Sequence, residues 1–183
     1  MSKEPKMVGK VLFDEKQIRK RAKELGEIIS KDYEGEELIL LGTLKGSLHW
    51  MADLSKCINN NAIYDFVIAS SYGSSTISSG IVKIALEPTQ NLYNKNVLVI
   101  EDIIDTGNTL AYLIKKLEER NPKSIEICTM LDKSARRTND IKPKYVGFEI
   151  DDLFVVGYGL DYDEKYRNLP YISYLEADDV ENL

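Results

Sequence analysis

Three carboxylates and a run of small polar residues stand close together near the middle of the sequence. Glu101 and Asp102 follow four apolar residues, 97–100, and Asp105 precedes the loop 106–109, which reads Thr-Gly-Asn-Thr. Backbone N–H groups in such a loop suit a phosphate, and neighbouring carboxylates suit hydroxyls or a hydrated divalent cation. The alternative is an ordinary turn with solvated, helix-capping acids. We favour the ligand site, because acids directly behind a buried strand are costly without a partner.

Two further loops carry a lysine in a comparable position. Lys45 lies in the loop Thr-Leu-Lys-Gly-Ser, residues 43–47, which follows a second apolar strand. Lys133 follows the predicted strand 124–131 directly. In open α/β sheets ligands bind at the carboxyl ends of the strands, so Lys133 is placed to reach the same crevice as Asp105. The alternative is that both lysines are exposed charges in ordinary turns, and the sequence around them leaves this alternative open.

The elements that must position these residues alternate along the chain. Apolar runs predict buried strands, and amphipathic runs predict helices. Asp14 with Gln17 resembles a capping box at the start of the first helix. The predicted strands are 38–42, 65–70, 81–86, 97–100 and 124–131, and the predicted helices are 14–30, 48–58 and 110–119.

Residues 71–80 are nearly all small or hydroxyl-bearing, and they lie between two predicted strands. Such a segment suits a mobile lid over an active site, with Gly73 and Gly80 permitting large backbone changes. A simple flexible hairpin tip has the same composition.

Composition restricts the function further. The chain has 183 residues, of which 43% are hydrophobic and 30% charged, as expected for one globular domain. A net charge of −6 argues against non-specific nucleic-acid binding. Cys57 and Cys128 lack metal-ligand spacing, and their apolar surroundings predict buried, reduced thiols. Neither a signal peptide nor a membrane span is apparent, so we expect a cytoplasmic protein that does not bind membranes.

The central stretch resembles a known signature. The acidic pair, the two apolar residues and Asp-Thr-Gly-Asn-Thr, 101–109, are similar to the phosphoribosyl-diphosphate (PRPP) motif of type I phosphoribosyltransferases. Leu-Lys-Gly-Ser, 44–47, resembles the pyrophosphate loop of the 6-oxopurine members, where the Leu–Lys peptide bond is typically cis. The sequences at 146–150, 154–162 and 166–169 closely resemble hypoxanthine-guanine phosphoribosyltransferases, and the resemblance covers nearly the whole chain.

This resemblance implies a fold and a reaction. The fold would be α/β, with a mostly parallel central sheet flanked by helices, all in a single domain spanning 1–183. A small hood would come from the N-terminal stretch and about 150–183, and 71–80 would form a flexible lid. The enzyme would join PRPP to hypoxanthine or guanine with Mg²⁺ as cofactor, releasing pyrophosphate. We expect a homodimer or homotetramer.

The resemblance also implies a role for individual residues. Asp105 would accept the purine N7 proton, and Ser71 and Tyr72 would begin the lid. The 5′-phosphate and ribose would contact Glu101, Asp102, Asp105, Thr106, Gly107, Asn108 and Thr109, with Asn108 contributing only its backbone. Pyrophosphate would contact Lys45, Gly46 and Arg167. The purine side would be Lys133, Phe154, Val155 and Asp161, with Lys133 donating to O6 and Phe154 stacking on the base. Mg²⁺ would be held by Glu101 and Asp102, and a second Mg²⁺ on the pyrophosphate would be held by Asp161.

Three alternatives stay open at this point. An enzyme of the same fold could act on xanthine or another base. A regulatory RNA-binding protein on this scaffold would need a basic face, whereas the chain has 24 Lys and Arg against 30 Asp and Glu. A phosphoacceptor domain also places aspartates at strand ends, but the phosphate-type loop behind Asp105 counts against it.

Overall fold

A six-stranded sheet forms the centre of the protein. The structure is a computed structural model and describes residues 8–71 and 82–176. The sheet strands are β2 Leu38–Thr43, β3 Ala62–Ser71, β4 Val82–Leu86, β5 Asn96–Ile104, β6 Ser124–Asp132 and β7 Tyr145–Glu149. Their spatial order is β4-β3-β2-β5-β6-β7. Every pairing is parallel except the β3–β4 pair, which is antiparallel. The predicted α/β fold with a mostly parallel sheet is confirmed.

Helices cover both faces of this sheet because its central strands are apolar on both sides. The helices are α1 Glu15–Asp32, α2 Leu48–Ser55 and α3 Asn108–Glu118. Leu98 and Ile100 of β5 lie in one buried cluster with residues of α1 and α2. Val97 and Val99 lie in a second cluster with residues of α3. Because successive side chains of β5 point to opposite faces of the sheet, this strand contributes residues to both cores.

Several element boundaries differ from the sequence prediction. The capping box of α1 is confirmed, since Asp14 accepts from the Gln17 N–H and Gln17 accepts from the Asp14 N–H. Helix α2 ends at Ser55, earlier than predicted. Strand β5 continues to Ile104 because β6 pairs with it there. Glu101 and Asp102 are therefore strand residues, and only Asp105 begins the loop.

A second, three-stranded sheet joins the two ends of the described chain. It contains β1 Lys10–Phe13, β8 Phe154–Val156 and β9 Ile172–Leu175, in the antiparallel order β1-β9-β8. We call this sheet the hood. The Phe13 and Phe148 rings stack with centroids 4.0 Å apart and planes inclined by 19°, which connects β1 to β7 of the central sheet.

Both cysteines are free thiols, as predicted. Cys128 is buried in the core, and burial raises the pKa of its thiol to about 12. Cys57 is only half-buried, so the prediction of a buried thiol is wrong at that position. Cys57 follows the shortened α2 and packs against Gly26 of α1. Among residues 8–71 and 82–176, none of the helices is long and apolar enough to cross a membrane.

Candidate active site

A cleft of about 340 Å³ opens at the carboxyl ends of β2 and β5. Its lining includes the residues predicted for the donor side. They are Lys45, Gly46, Glu101, Asp102, Asp105, Thr106, Gly107, Asn108, Thr109 and Arg167. The sheet topology explains this convergence, because parallel neighbouring strands direct their following loops to the same edge.

The loop 105–109, which we call the phosphate loop, turns directly into α3. Gly107 adopts a left-handed conformation, with φ +79°, and an added Cβ would lie 2.9 Å from Asn139 Oδ1. Glycine is favoured there by both conformation and space. Within the described ranges, the amide N–H groups of Gly107 and Thr109 have no hydrogen-bond acceptor in the chain. Free N–H groups at a helix start are suited to an anion.

The acidic pair lies in the floor of the cleft, where both side chains are partly buried. Glu101 Oε2 accepts a hydrogen bond of 2.6 Å from the Thr43 hydroxyl. Burial, and next the charge of Asp102, raise the pKa of the Glu101 carboxyl. Burial also raises the pKa of Asp102. Both acids present carboxyl oxygens at the floor of the cleft, and such oxygens are suited to hydroxyl donors or to a hard cation.

The loop that carries Lys45 packs directly on this acidic pair. A Cβ on Gly46 would lie only 1.6 Å from Asp102 Oδ2. A Cβ on Gly159 would lie 2.0 Å from the Gly46 carbonyl oxygen, so three backbone segments meet here. The Leu44–Lys45 peptide bond is cis.

The cations predicted for the leaving group are engaged with nearby acids. Lys45 Nζ lies 2.7 Å from Glu164 Oε2, and both side chains are exposed. Arg167 lies 2.8 Å from Asp161 and donates to the Gly159 carbonyl at 2.7 Å. Both cations therefore lie at the cleft, and an entering polyanion would compete with carboxylates for them.

A chain of ion pairs links the predicted purine side to the phosphate loop. Lys133 is buried, with 8% exposure, and its Nζ lies 3.2 Å from Asp152. Asp152 is 2.5 Å from Arg136, and Arg136 Nε is 2.6 Å from Asp105 Oδ1. Arg136, followed by Lys133, holds the pKa of Asp152 below its usual value. The sequence contained the Arg136-Arg137 pair but gave no indication of these partners.

The remaining predicted purine-side residues do not line this cleft. Phe154 is half-exposed, and its ring meets the edge of the Tyr162 ring at 5.7 Å. Val155 is buried in β8. Asp161 reaches the cleft through its pair with Arg167. A half-exposed ring of this kind has a free face for a planar base.

The predicted lid falls mostly outside the described residues. Ser71 ends β3, whereas Tyr72 and the rest of 72–80 lie outside the described ranges. Among the described residues, no group of three or more His, Cys, Asp or Glu side chains is placed to hold a metal ion. A divalent cation at Glu101 and Asp102 would therefore take further oxygens from a substrate or water.

Sequence reasoning missed the residues that support the phosphate loop from behind. The Asn108 side chain contacts protein, where its Oδ1 accepts from Thr138 and Asn139. Arg137 donates to the Asp105 carbonyl at 2.6 Å and pairs with Asp132. Apart from the Arg137–Asp132 pair, these contacts join residues 30 to 32 positions apart, so local spacing does not reveal them.

Comparison with known proteins gives a consistent result. Residues 9–163 match the phosphoribosyl transferase domain family. The chain is 50% identical to the hypoxanthine-guanine phosphoribosyltransferase of Bacillus subtilis over 92% of this chain and 94% of that protein. Its structure resembles a hypoxanthine phosphoribosyltransferase from Staphylococcus aureus, with a TM-score of 0.90 and 48% identity over 93% of each chain. It also resembles a Bacillus anthracis hypoxanthine-guanine phosphoribosyltransferase, with a TM-score of 0.89 and 45% identity, covering 93% of this chain and 100% of that one.

Proposed function

The chain belongs to the phosphoribosyltransferase family, and we propose that it transfers the 5-phosphoribosyl group of PRPP to N9 of hypoxanthine or guanine. The products are the nucleoside monophosphate and pyrophosphate. The observation that carries this proposal is the cleft, which combines a phosphate loop, an acidic pair and a lysine loop at one sheet edge. Displacement at the ribose C1 passes through an oxocarbenium-like state, as in glycoside chemistry.

The phosphate loop would hold the 5′-phosphate of the donor through its free N–H groups and the hydroxyls of Thr106 and Thr109. Glu101 and Asp102 would accept hydrogen bonds from the ribose 2′- and 3′-hydroxyls. This division is supported by position, since the acids lie in the sheet floor and the loop lies at the start of α3. The donor would thus be held at both ends of its ribose.

Asp105 is the proposed proton acceptor for the purine N7. A carboxylate is a weak base at neutral pH, so it would accept the proton as the bond to N9 develops. Its ion pair with Arg136 through Oδ1 fixes the side chain at the border between the cleft and the purine side. The carboxylate would become available for N7 when the base enters.

Lys133 would donate to the purine O6, while Phe154 would stack on the ring and the Val155 backbone would meet the base edge. The Lys133 ammonium is buried and lies 3.2 Å from Asp152, at the border of the purine side. Adenine carries a 6-amino group in place of O6, so its donors would face the Lys133 ammonium where a 6-oxopurine offers an acceptor. A buried donor without an acceptor costs several kcal/mol, enough for discrimination of about a thousandfold.

Mg²⁺ is the proposed cofactor: Glu101 and Asp102 would hold one ion, and Asp161 would hold a second ion on the pyrophosphate. These donors fit a hard cation, because they are carboxylates. When bound, Mg²⁺ offsets the charge of the diphosphate. Lys45, the Gly46 N–H and Arg167 would neutralise the departing pyrophosphate, and the lid beginning at Ser71 and Tyr72 would exclude water.

Assembly and location belong to the same proposal. We infer a cytoplasmic homodimer or homotetramer, acting on PRPP and 6-oxopurine bases without nucleic acid or membrane. Size-exclusion chromatography with light scattering would test the oligomeric state.

Base selectivity tests the proposed substrate class. Pyrophosphate release should be measured with PRPP, Mg²⁺ and each of hypoxanthine, guanine, xanthine and adenine. We expect kcat/KM for hypoxanthine or guanine to exceed that for adenine about a thousandfold. A preference for xanthine would assign the chain to another branch of the fold. Activity with adenine equal to that with hypoxanthine would contradict the role of Lys133.

A further inference from the structure

The phosphate loop is held from behind by the segment that follows the turn at Ser134–Arg136. The Thr106 carbonyl accepts from the Thr138 N–H at 3.1 Å and from Asn139 Nδ2 at 3.0 Å. Asn139 Nδ2 also donates to Asn108 Oδ1 at 2.9 Å. One side-chain amide therefore bonds to residues on both sides of Gly107.

The Asn139 side chain is itself fixed on its other side. Its Oδ1 accepts from the Ile141 N–H at 3.1 Å, which leaves both Nδ2 hydrogens for the loop. The close approach to Gly107 adds a steric constraint, since a Cβ there would lie 2.9 Å from Oδ1. The amide is thus oriented by three backbone or side-chain partners.

The geometry of the peptide bond gives this contact a consequence in the cleft. In a planar trans peptide, the C=O of one residue and the N–H of the next point in opposite directions. Holding the Thr106 carbonyl towards Asn139 therefore directs the Gly107 N–H away from Asn139. Gly107 lines the cleft, and within the described residues its N–H has no acceptor in the chain.

We propose that Asn139 is a positioning residue for phosphate binding: it fixes the Thr106–Gly107 peptide so that the Gly107 N–H stays directed at the phosphate. This rests on the proposed function, because it takes the loop to hold a phosphate. Asn139 makes no contact with substrate in this scheme. It acts by reducing the conformational freedom that the loop would otherwise lose on binding.

Binding of IMP and inosine distinguishes this role from a general structural one, since inosine lacks the 5′-phosphate. Asn139→Ala should weaken IMP binding about tenfold, the loss of roughly one net hydrogen bond, and leave inosine binding within twofold. In turnover, KM for PRPP should rise by a similar factor while kcat changes less than twofold. Ser134→Ala is the control, because this exposed side chain lies in the same connection.

A second variant keeps the inference testable if Asn139→Ala folds poorly. Asn108→Ala removes the side-chain amide whose Oδ1 accepts from Asn139 and Thr138, and it leaves the Asn139 bond to the Thr106 carbonyl in place. We expect a smaller, twofold to fivefold weakening of IMP binding that again spares inosine. If wild type binds IMP and both variants bind it equally well, the inference about Asn139 is wrong and the proposed function stands. Equal losses for IMP and inosine would lead to the same conclusion. Wild type that binds neither PRPP nor IMP would instead overturn the proposed function as well.

Discussion

At the scale of single residues, chemistry-bearing side chains could be recognised because their types and spacing are unusual. Asp105 and the small residues after it, or Lys133 directly after a strand, are informative without any structure. The partners of these residues could not be recognised from the sequence. Arg136 pairs with Asp105, and Asn139 bonds to Asn108 across 31 positions, and such pairs depend on how two loops fold together.

Asp105 is the residue on which the chemical step depends most. Asp105→Asn should lower kcat by about two to three decades and leave the Kd of PRPP within roughly threefold, because the amide cannot accept the N7 proton. Stopped-assay turnover together with PRPP titration measures both quantities. Asp140→Asn, an exposed acid in the neighbouring connection, is the control and should retain full turnover. Unchanged turnover in Asp105→Asn would show that another group accepts the proton.

At the scale of elements, apolar runs and the capping box predicted the existence of α1, β2, β5 and β6 correctly. The ends were harder, because pairing with a neighbour sets them. β5 extends to Ile104 only because β6 continues beside it to Asp132. That extension places Glu101 and Asp102 at the end of the strand, where both side chains line the cleft.

The contact between the lysine loop and β5 gives a prediction at this scale. Gly46→Ala should lower kcat/KM for PRPP by more than about a hundredfold, because its Cβ would overlap Asp102 and displace the loop or the acid. Steady-state kinetics at varied PRPP measures the effect.

Gly35→Ala is the matched control for that substitution. Gly35 has φ +76°, and an added Cβ meets nothing within 4 Å. We expect it to reduce the free energy of unfolding by about 1 kcal/mol through backbone strain and to leave activity within twofold. Full activity in Gly46→Ala would mean that the tight packing on Asp102 does not matter for catalysis.

At the scale of the whole molecule, two sheets supply the two proposed halves of the reaction. The central sheet carries the phosphate loop and the acidic pair, and the hood carries Phe154 and Val155. β1 pairs with β9, which lies more than 150 residues further along the chain. The resemblance implied a hood, but the composition and periodicity of β1 alone did not indicate its partner.

The hood should therefore affect purine binding more than PRPP binding. Phe13→Ala removes the ring that stacks on Phe148 and should lower the free energy of unfolding by about 1–3 kcal/mol. KM for hypoxanthine should rise several-fold more than KM for PRPP, because β1 supports β8 through β9. Urea unfolding and steady-state kinetics measure these effects, with Val11→Ala, an exposed position in β1, as control. Equal rises in both KM values would contradict the division.

The formation of a nucleotide from PRPP and a purine tests the central claim most directly. Purified protein, PRPP, hypoxanthine and Mg²⁺ should be incubated, and IMP and pyrophosphate quantified from the same samples. We expect equal amounts of the two products, and loss of both when EDTA removes the divalent cation. Absence of IMP, or pyrophosphate released without IMP, would contradict a transfer reaction in this cleft.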